Sequence, residues 1–115
     1  MITPAQIEKR LYDLSIEIDE STKDLMDTEE RYHHLTAQYE VAMAKSRIKN
    51  SQADMKMTAQ MREDQALIEN EVLHFQVAMS EAEVKAARAN TNRLKTQVDI
   101  ARSISVSVRN EMSVA

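Results

Sequence analysis

The feature that most constrains this chain is an absence: its 115 residues contain no glycine and a single proline, Pro4. Tight turns need residues that tolerate positive φ or fix φ in advance. A chain with almost none of either changes direction rarely, so it must run in long elements. What remains is rich in Ala, Glu, Lys, Met, Gln and Arg, which are strong helix formers, and 30% of the residues are charged. Aromatics are confined to Tyr12, Tyr32, Tyr39 and Phe75. Long helices joined along a narrow apolar seam satisfy these constraints. The length allows one domain.

The start of the first helix is written plainly. Thr3 is a good N-cap, Pro4 occupies the first helical position, and Gln6 completes a capping box with Thr3. Ile2 and Ile7 hold the positions of a hydrophobic staple. From there Ile7, Leu11, Leu14, Ile18, Ser21, Leu25, Thr28, Tyr32, Leu35, Tyr39 and Ala42 alternate steps of four and three, the coiled-coil signature. Ser21 and Thr28 are polar members of this seam, either register-fixing or simply tolerated.

The pattern fades over 45–56. Asn50-Ser51 is the best candidate break, since Asn tolerates the left-handed conformation that ends helices and Ser51 with Asp54 can cap a new one. A continuous helix is the rival reading. A second seam follows at Met61, Gln65, Ile68, Val72, Phe75, Met79, Ala82 and Ala86. It then steps through Asn90, Leu94, Gln97/Val98, Ala101, Ile104 and Val108 with a stutter. The fold expected is all-α: two long helices, 4–49 and 52–111, turning at an elbow near 50–51 into an antiparallel coiled-coil hairpin. The alternating segment Ser103 to Val108 reads as continued helix, with an extended partner-binding segment as the alternative.

Charge is distributed in blocks. Residues 1–44 carry 4 basic and 10 acidic side chains, 45–62 carry 5 and 1, 63–83 carry none and 6, and 84–115 carry 6 and 2. A turn near 50 sets residue i beside residue 101−i. Lys85, Arg88, Arg93 and Lys95 would then flank Glu8, Asp13 and Glu17. Acidic 63–83 would lie beside acidic 19–38, and roughly the last dozen residues would project past the start of helix one. A parallel in-register dimer would stack like charges throughout. A two-helix seam buries little, and with no cysteine for disulfides, oligomerisation is the support expected.

The search for chemistry yields little. His33 and His34 are adjacent and diverge on a helix, and His74 would fall near residue 27; none forms a metal-ligand spacing. Glu29-Glu30 and Glu63-Asp64 read as solvated faces. Without glycine there is no phosphate-cradling loop, and no serine is marked as an activated nucleophile. The chain therefore reads as a non-enzyme that needs no cofactor. Lys45, Arg47, Lys49, Lys56 and Arg62 are candidate phosphate contacts, though without interleaved aromatics for base stacking. Met55, Met57, Met61 and Met79 form either an adaptable binding face or core filling. The candidate seam and oligomer residues are Ile7, Leu11, Leu14, Ile18, Leu25, Tyr32, Leu35, Tyr39, Met61, Ile68, Val72, Phe75, Met79, Leu94 and Ile104. No signal peptide or membrane span is evident, which points to a soluble cytoplasmic protein.

Three stretches carry a resemblance: Ile2 to Lys9 followed by Leu14 to Glu20; the Tyr39, Ala42 and Ala44 to Arg47 elbow region; and Leu94 to Ser103 with Val108 to Met112. Together they resemble short helical proteins encoded by tailed bacteriophages, departing at the elbow where Asn50-Ser51 stands in place of Gly-Ser. The resemblance implies a phage accessory factor in the bacterial host cytoplasm and carries over no catalytic residue. The function expected is a non-catalytic, oligomeric coiled coil that mediates protein–protein interaction. The alternatives are a nucleic-acid-handling accessory, such as a recombinase or single-strand loading helper, and a capsid-assembly scaffold.

Overall fold

The computed structural model describes residues 2–53 and 56–114, with side chains as far as residue 113. Among the described residues the regular elements are all α-helices: α1 (Pro4–Ala53), α2 (Ala59–Glu69) and α3 (Glu71–Val114). The two long helices, α1 and α3, pack against each other.

α1 begins as its sequence requires. The Thr3 amide donates to Gln6 Oε1 at 2.9 Å and the Gln6 amide donates to Thr3 Oγ1 at 3.3 Å, the two reciprocal bonds of a capping box. Its end differs from expectation. Asn50 and Ser51 stay helical and α1 runs on to Ala53. Asn50 is buried, no described residue takes positive φ, and the Ser51 hydroxyl donates to the Ile48 carbonyl, so its oxygen serves the helix it sits in. Asp54 and Met55 lie outside the described residues. The new helix is capped by Thr58, whose side chain accepts from the Met61 amide. Instead of one second helix there are two, divided at Asn70. The Asn70 amide donates to the Ala66 and Leu67 carbonyls, and its side chain donates to the Ala66 carbonyl. The tail 103–108 is helical within α3.

The chain divides into two compact units. The first comprises residues 1–26 and 85–115. Its core joins Leu14, Leu94 and Ala101, with Leu11, Ile18 and Val98 packed against them. The Arg10 guanidinium reaches Gln97 across the pair of helices. A polar chain, buried at Ser21 and Thr91, crosses it too. Asn90 Nδ2 donates to Ser21 Oγ, Ser21 Oγ lies 2.7 Å from Thr91 Oγ1, and Thr91 Oγ1 donates to the Ala87 carbonyl. With the Thr91 proton spent on Ala87, Ser21 is the donor to Thr91. Ser21 is therefore a satisfied seam residue rather than a defect.

The second unit comprises residues 27–84. Arg31 meets Glu83, Tyr39 meets His74, Ser46 meets Asn70, Lys49 meets Glu69 and Arg47 meets Glu63. Apart from Met43, its buried residues are small or polar for a seam: Thr28, Asn50, Ala66, Ser80 and Val84.

These pairings correct the expected register. A turn at 50–51 would place residue 80 beside Ser21, whereas Thr91 lies there. It would place His74 near residue 27, whereas its ring sits 5.5 Å from that of Tyr39. The extra length of α1 and the stretch before Thr58 account for the offset. Three expectations shift as a result. Arg93 lines a groove with Glu17, Glu20 and Asp24 instead of lying beside Glu8. The acidic 63–83 stretch meets cations on α1 rather than a second acidic run. The tail does not project from residue 103 onward, because Ile2 shares a groove with Ser103, Ile104, Ser107, Val108 and Glu111.

Candidate functional site

Two sets of side chains were marked by the sequence, the cations of 45–62 and the apolar heptad positions, and the structure treats them differently. Arg47 is engaged in a two-pronged bond: its Nε and Nη2 donate to the two carboxylate oxygens of Glu63, each at 2.7 Å. This hydrogen bond raises the Arg47 pKa and holds the Glu63 carboxyl below its ordinary value. Lys49 lies 3.5 Å from Glu69. The Glu69 carboxyl is lowered first by the Gln65 amide, then by Ser46 and Lys49. Arg62 is half-buried and donates to the Met57 carbonyl. Lys45 lines a shallow apolar groove with His34, Ala37, Val41 and Leu73, and Lys56 is exposed. At least two of the five candidate phosphate contacts are thus matched to carboxylates of the same unit. Glu63, read as part of a solvated doublet, is one of those partners.

In α1 the row read from the sequence lies inward as far as Tyr39, after which Met43 is the buried residue and Ala42 is half-buried. Ile7, Leu14, Ser21 and Thr28 are buried, and Leu11, Ile18, Leu25, Tyr32, Leu35 and Tyr39 are half-buried. In the second half Leu94 is buried and Ile104 half-buried. Between them the reading of the seam fails. Met61 is 52% exposed, Ile68 64%, Val72 72%, Phe75 57% and Met79 66%. Gln65, Ala82 and Ala86 of the same register are exposed as well. The inner positions are Ala66, Asn70, Leu73, Val77, Ser80, Val84 and Ala87, each buried or half-buried. Each follows its outer counterpart by one or two residues, which turns it about 100–200° around the helix. The same 4-3 rhythm continues through Thr91, Leu94, Val98, Ala101, Ser105 and Val108 with no stutter. The apparent stutter near residue 90 arose from joining an outer register to this inner one.

The second unit therefore carries two heptad registers on one stretch of chain. One faces α1. The other, from Met61 to Met79, faces solvent across both α2 and α3. Beyond Arg62, which borders Met61 and donates to the Met57 carbonyl, its charged flanking residues as far as Glu83 are acidic. In coiled-coil terms Asp64 and Glu71 border one side and Glu69 and Glu83 the other. Glu69 and Glu83 are taken up by Lys49 and Arg31. Asp64 and Glu71 have no cation partner among the described residues, although Gln60 donates to Asp64.

Among the described residues there is no group of three His, Asp or Glu side chains placed to hold a metal ion. No described helix is long and apolar enough to cross a membrane. The chain matches no protein-family model, no curated protein and no solved structure.

Proposed function

We propose that this chain is a non-catalytic coiled-coil protein that works by presenting a helix face to a protein partner. In this reading α1 folds against α2 and α3 as an antiparallel hairpin. The resemblance to helical proteins of tailed phages makes a phage accessory factor the setting proposed. The observation that carries the reading is the outer stripe Met61, Ile68, Val72, Phe75 and Met79, five large apolar side chains at heptad spacing and all more than half exposed. Scattered apolar residues on a surface need no explanation, but an ordered apolar row does. Sequences keep a 4-3 apolar pattern where a second helix lies against it. The ion pairs of Arg47 and Lys49 with Glu63 and Glu69 weigh against a nucleic-acid reading, which would need those cations for phosphates.

A photo-crosslinking residue at Phe75, compared with one at exposed Glu40 on α1, tests this in cells that make the protein naturally. A discrete protein adduct from position 75 and none from position 40 is expected. Adducts to nucleic acid, or none from position 75, would contradict the reading.

A further inference from the structure

The stripe's charge environment narrows the kind of partner it fits. Residues 63–83 contain Glu63, Asp64, Glu69, Glu71, Glu81 and Glu83 and no Lys or Arg. A second copy laid stripe to stripe, in either direction, would bring two such stretches together. Like charges at the edges of a helix–helix contact select against that pairing. The basic 84–109 segment of another copy offers no substitute apolar row. Carried forward from Ala82 and Ala86, the outer register meets Ala89, Arg93, Thr96, Ile100 and Ser103, where Ile100 is the one large apolar side chain.

Resting on the protein-interaction reading above, we propose that the stripe docks a single amphipathic helix of another protein. That helix carries large apolar residues at heptad spacing and Lys or Arg at the flanking positions. Its apolar row lies over Ile68, Val72, Phe75 and Met79, and its cations face Asp64 and Glu71. The two carboxylates are seven residues apart on one flank, so a partner with cations one heptad apart meets both. Glu69 and Glu83 are already matched to Lys49 and Arg31, which leaves Asp64 and Glu71 as the selecting pair. This is helix-on-helix recognition with charge setting the choice of partner.

The test uses the full chain, fluorescently labelled, and two synthetic helical peptides of about three heptads. Both have Leu at the seam positions; one has Lys at the flanks, the other Glu. Binding is read by anisotropy. The Lys peptide is expected to bind about tenfold more tightly than the Glu peptide, with the preference shrinking as salt rises. Asp64→Lys with Glu71→Lys should reverse the preference, while Asp19→Lys with Glu20→Lys, equal in net charge but elsewhere, should keep it. Val72→Glu should abolish binding of both peptides while leaving the circular dichroism unchanged. Equal loss of preference in the two charge-reversed variants would mean general attraction to an acidic protein and would overturn the proposal. So would failure of both peptides to bind. A chain that forms a dimer by light scattering, lost in Val72→Glu, would name a second copy as the occupant and overturn it as well. If position 75 crosslinks to a protein in cells but the peptides show no preference, the interaction reading stands and the partner class falls.

Discussion

The two units use the same heptad rhythm to opposite effect. In the first, the large aliphatics point inward: Leu14 and Leu94 are buried, with Leu11, Ile18 and Val98 around them. In the second, the inner face of α2 and α3 is built from Ala66, Asn70, Leu73, Val77 and Ser80, while Met61, Ile68, Val72, Phe75 and Met79 point out. Size of side chain therefore does not decide which row of a heptad helix is buried. The small inner residues of the second unit let its helices approach, and cross-helix ion pairs such as Arg47 with Glu63 line their edges. The large outer residues are left for something else. The first unit buries its large row, and in the function proposed above the exposed large row of the second is the one offered to a partner.

Mutations can break or sharpen this contrast. The largest effect belongs to the first unit's core. Leu14 is fully buried, so Leu14→Ala should cost about 2–5 kcal/mol in denaturant unfolding. Next is the polar chain beside it. Ser21→Val leaves Thr91 Oγ1 and Asn90 Nδ2 without their partner and should cost about 1–3 kcal/mol. Adding Thr91→Val should cost less than the sum of the two single changes. Loss of the α1 cap in Thr3→Ala should cost about 1 kcal/mol. In the second unit, Val72→Glu and Phe75→Glu should each change stability by no more than about 0.5 kcal/mol; a loss as large as that of Leu14→Ala would show those residues to be core. Smallest is the response to acid. Glu63 and Glu69 have lowered folded-state pKa values, so the stability they add is present above the ordinary carboxylate range and is lost as pH falls through the folded values. Glu63→Gln should flatten part of that acid limb in a pH series of melting curves by lowering the neutral-pH stability by the same small amount, with the most acidic points unchanged.

How much of this could be read from the sequence follows the same division. The α1 seam was legible from Ile7 to Tyr39, because large apolar residues and the 4-3 spacing coincide there, and Ser21 and Thr28 fell in register. The start at Thr3-Pro4 was legible because caps act locally. The inner row from Ala66 to Ala87 was passed over because Asn70 and Ser80 look polar and the neighbouring outer row is more hydrophobic. A signal did exist: the inner row keeps unbroken spacing through to Val108, and the outer row does not. Thr58 is as usable an N-cap as Ser51, and a local cap signal does not rank the two. A break set at Ser51 shifts the register, and in that register neither Glu63 nor Glu69 falls opposite Arg47 or Lys49, which they meet in the structure.

The central claim is the orientation of α2 and α3, with one heptad row inward and the other outward. The chain has no cysteine, so single cysteines can be introduced at Val72, Phe75 and Met79, and separately at Val77, Ser80 and Val84, and their labelling rates measured with a thiol reagent in dilute protein. Labelling near the unfolded rate at 72, 75 and 79, with strong protection at 77, 80 and 84, is the result expected. Protection at 72, 75 and 79 with rapid labelling at 77, 80 and 84 would show that the apolar row is the inner seam and that the second unit has no outward face to offer.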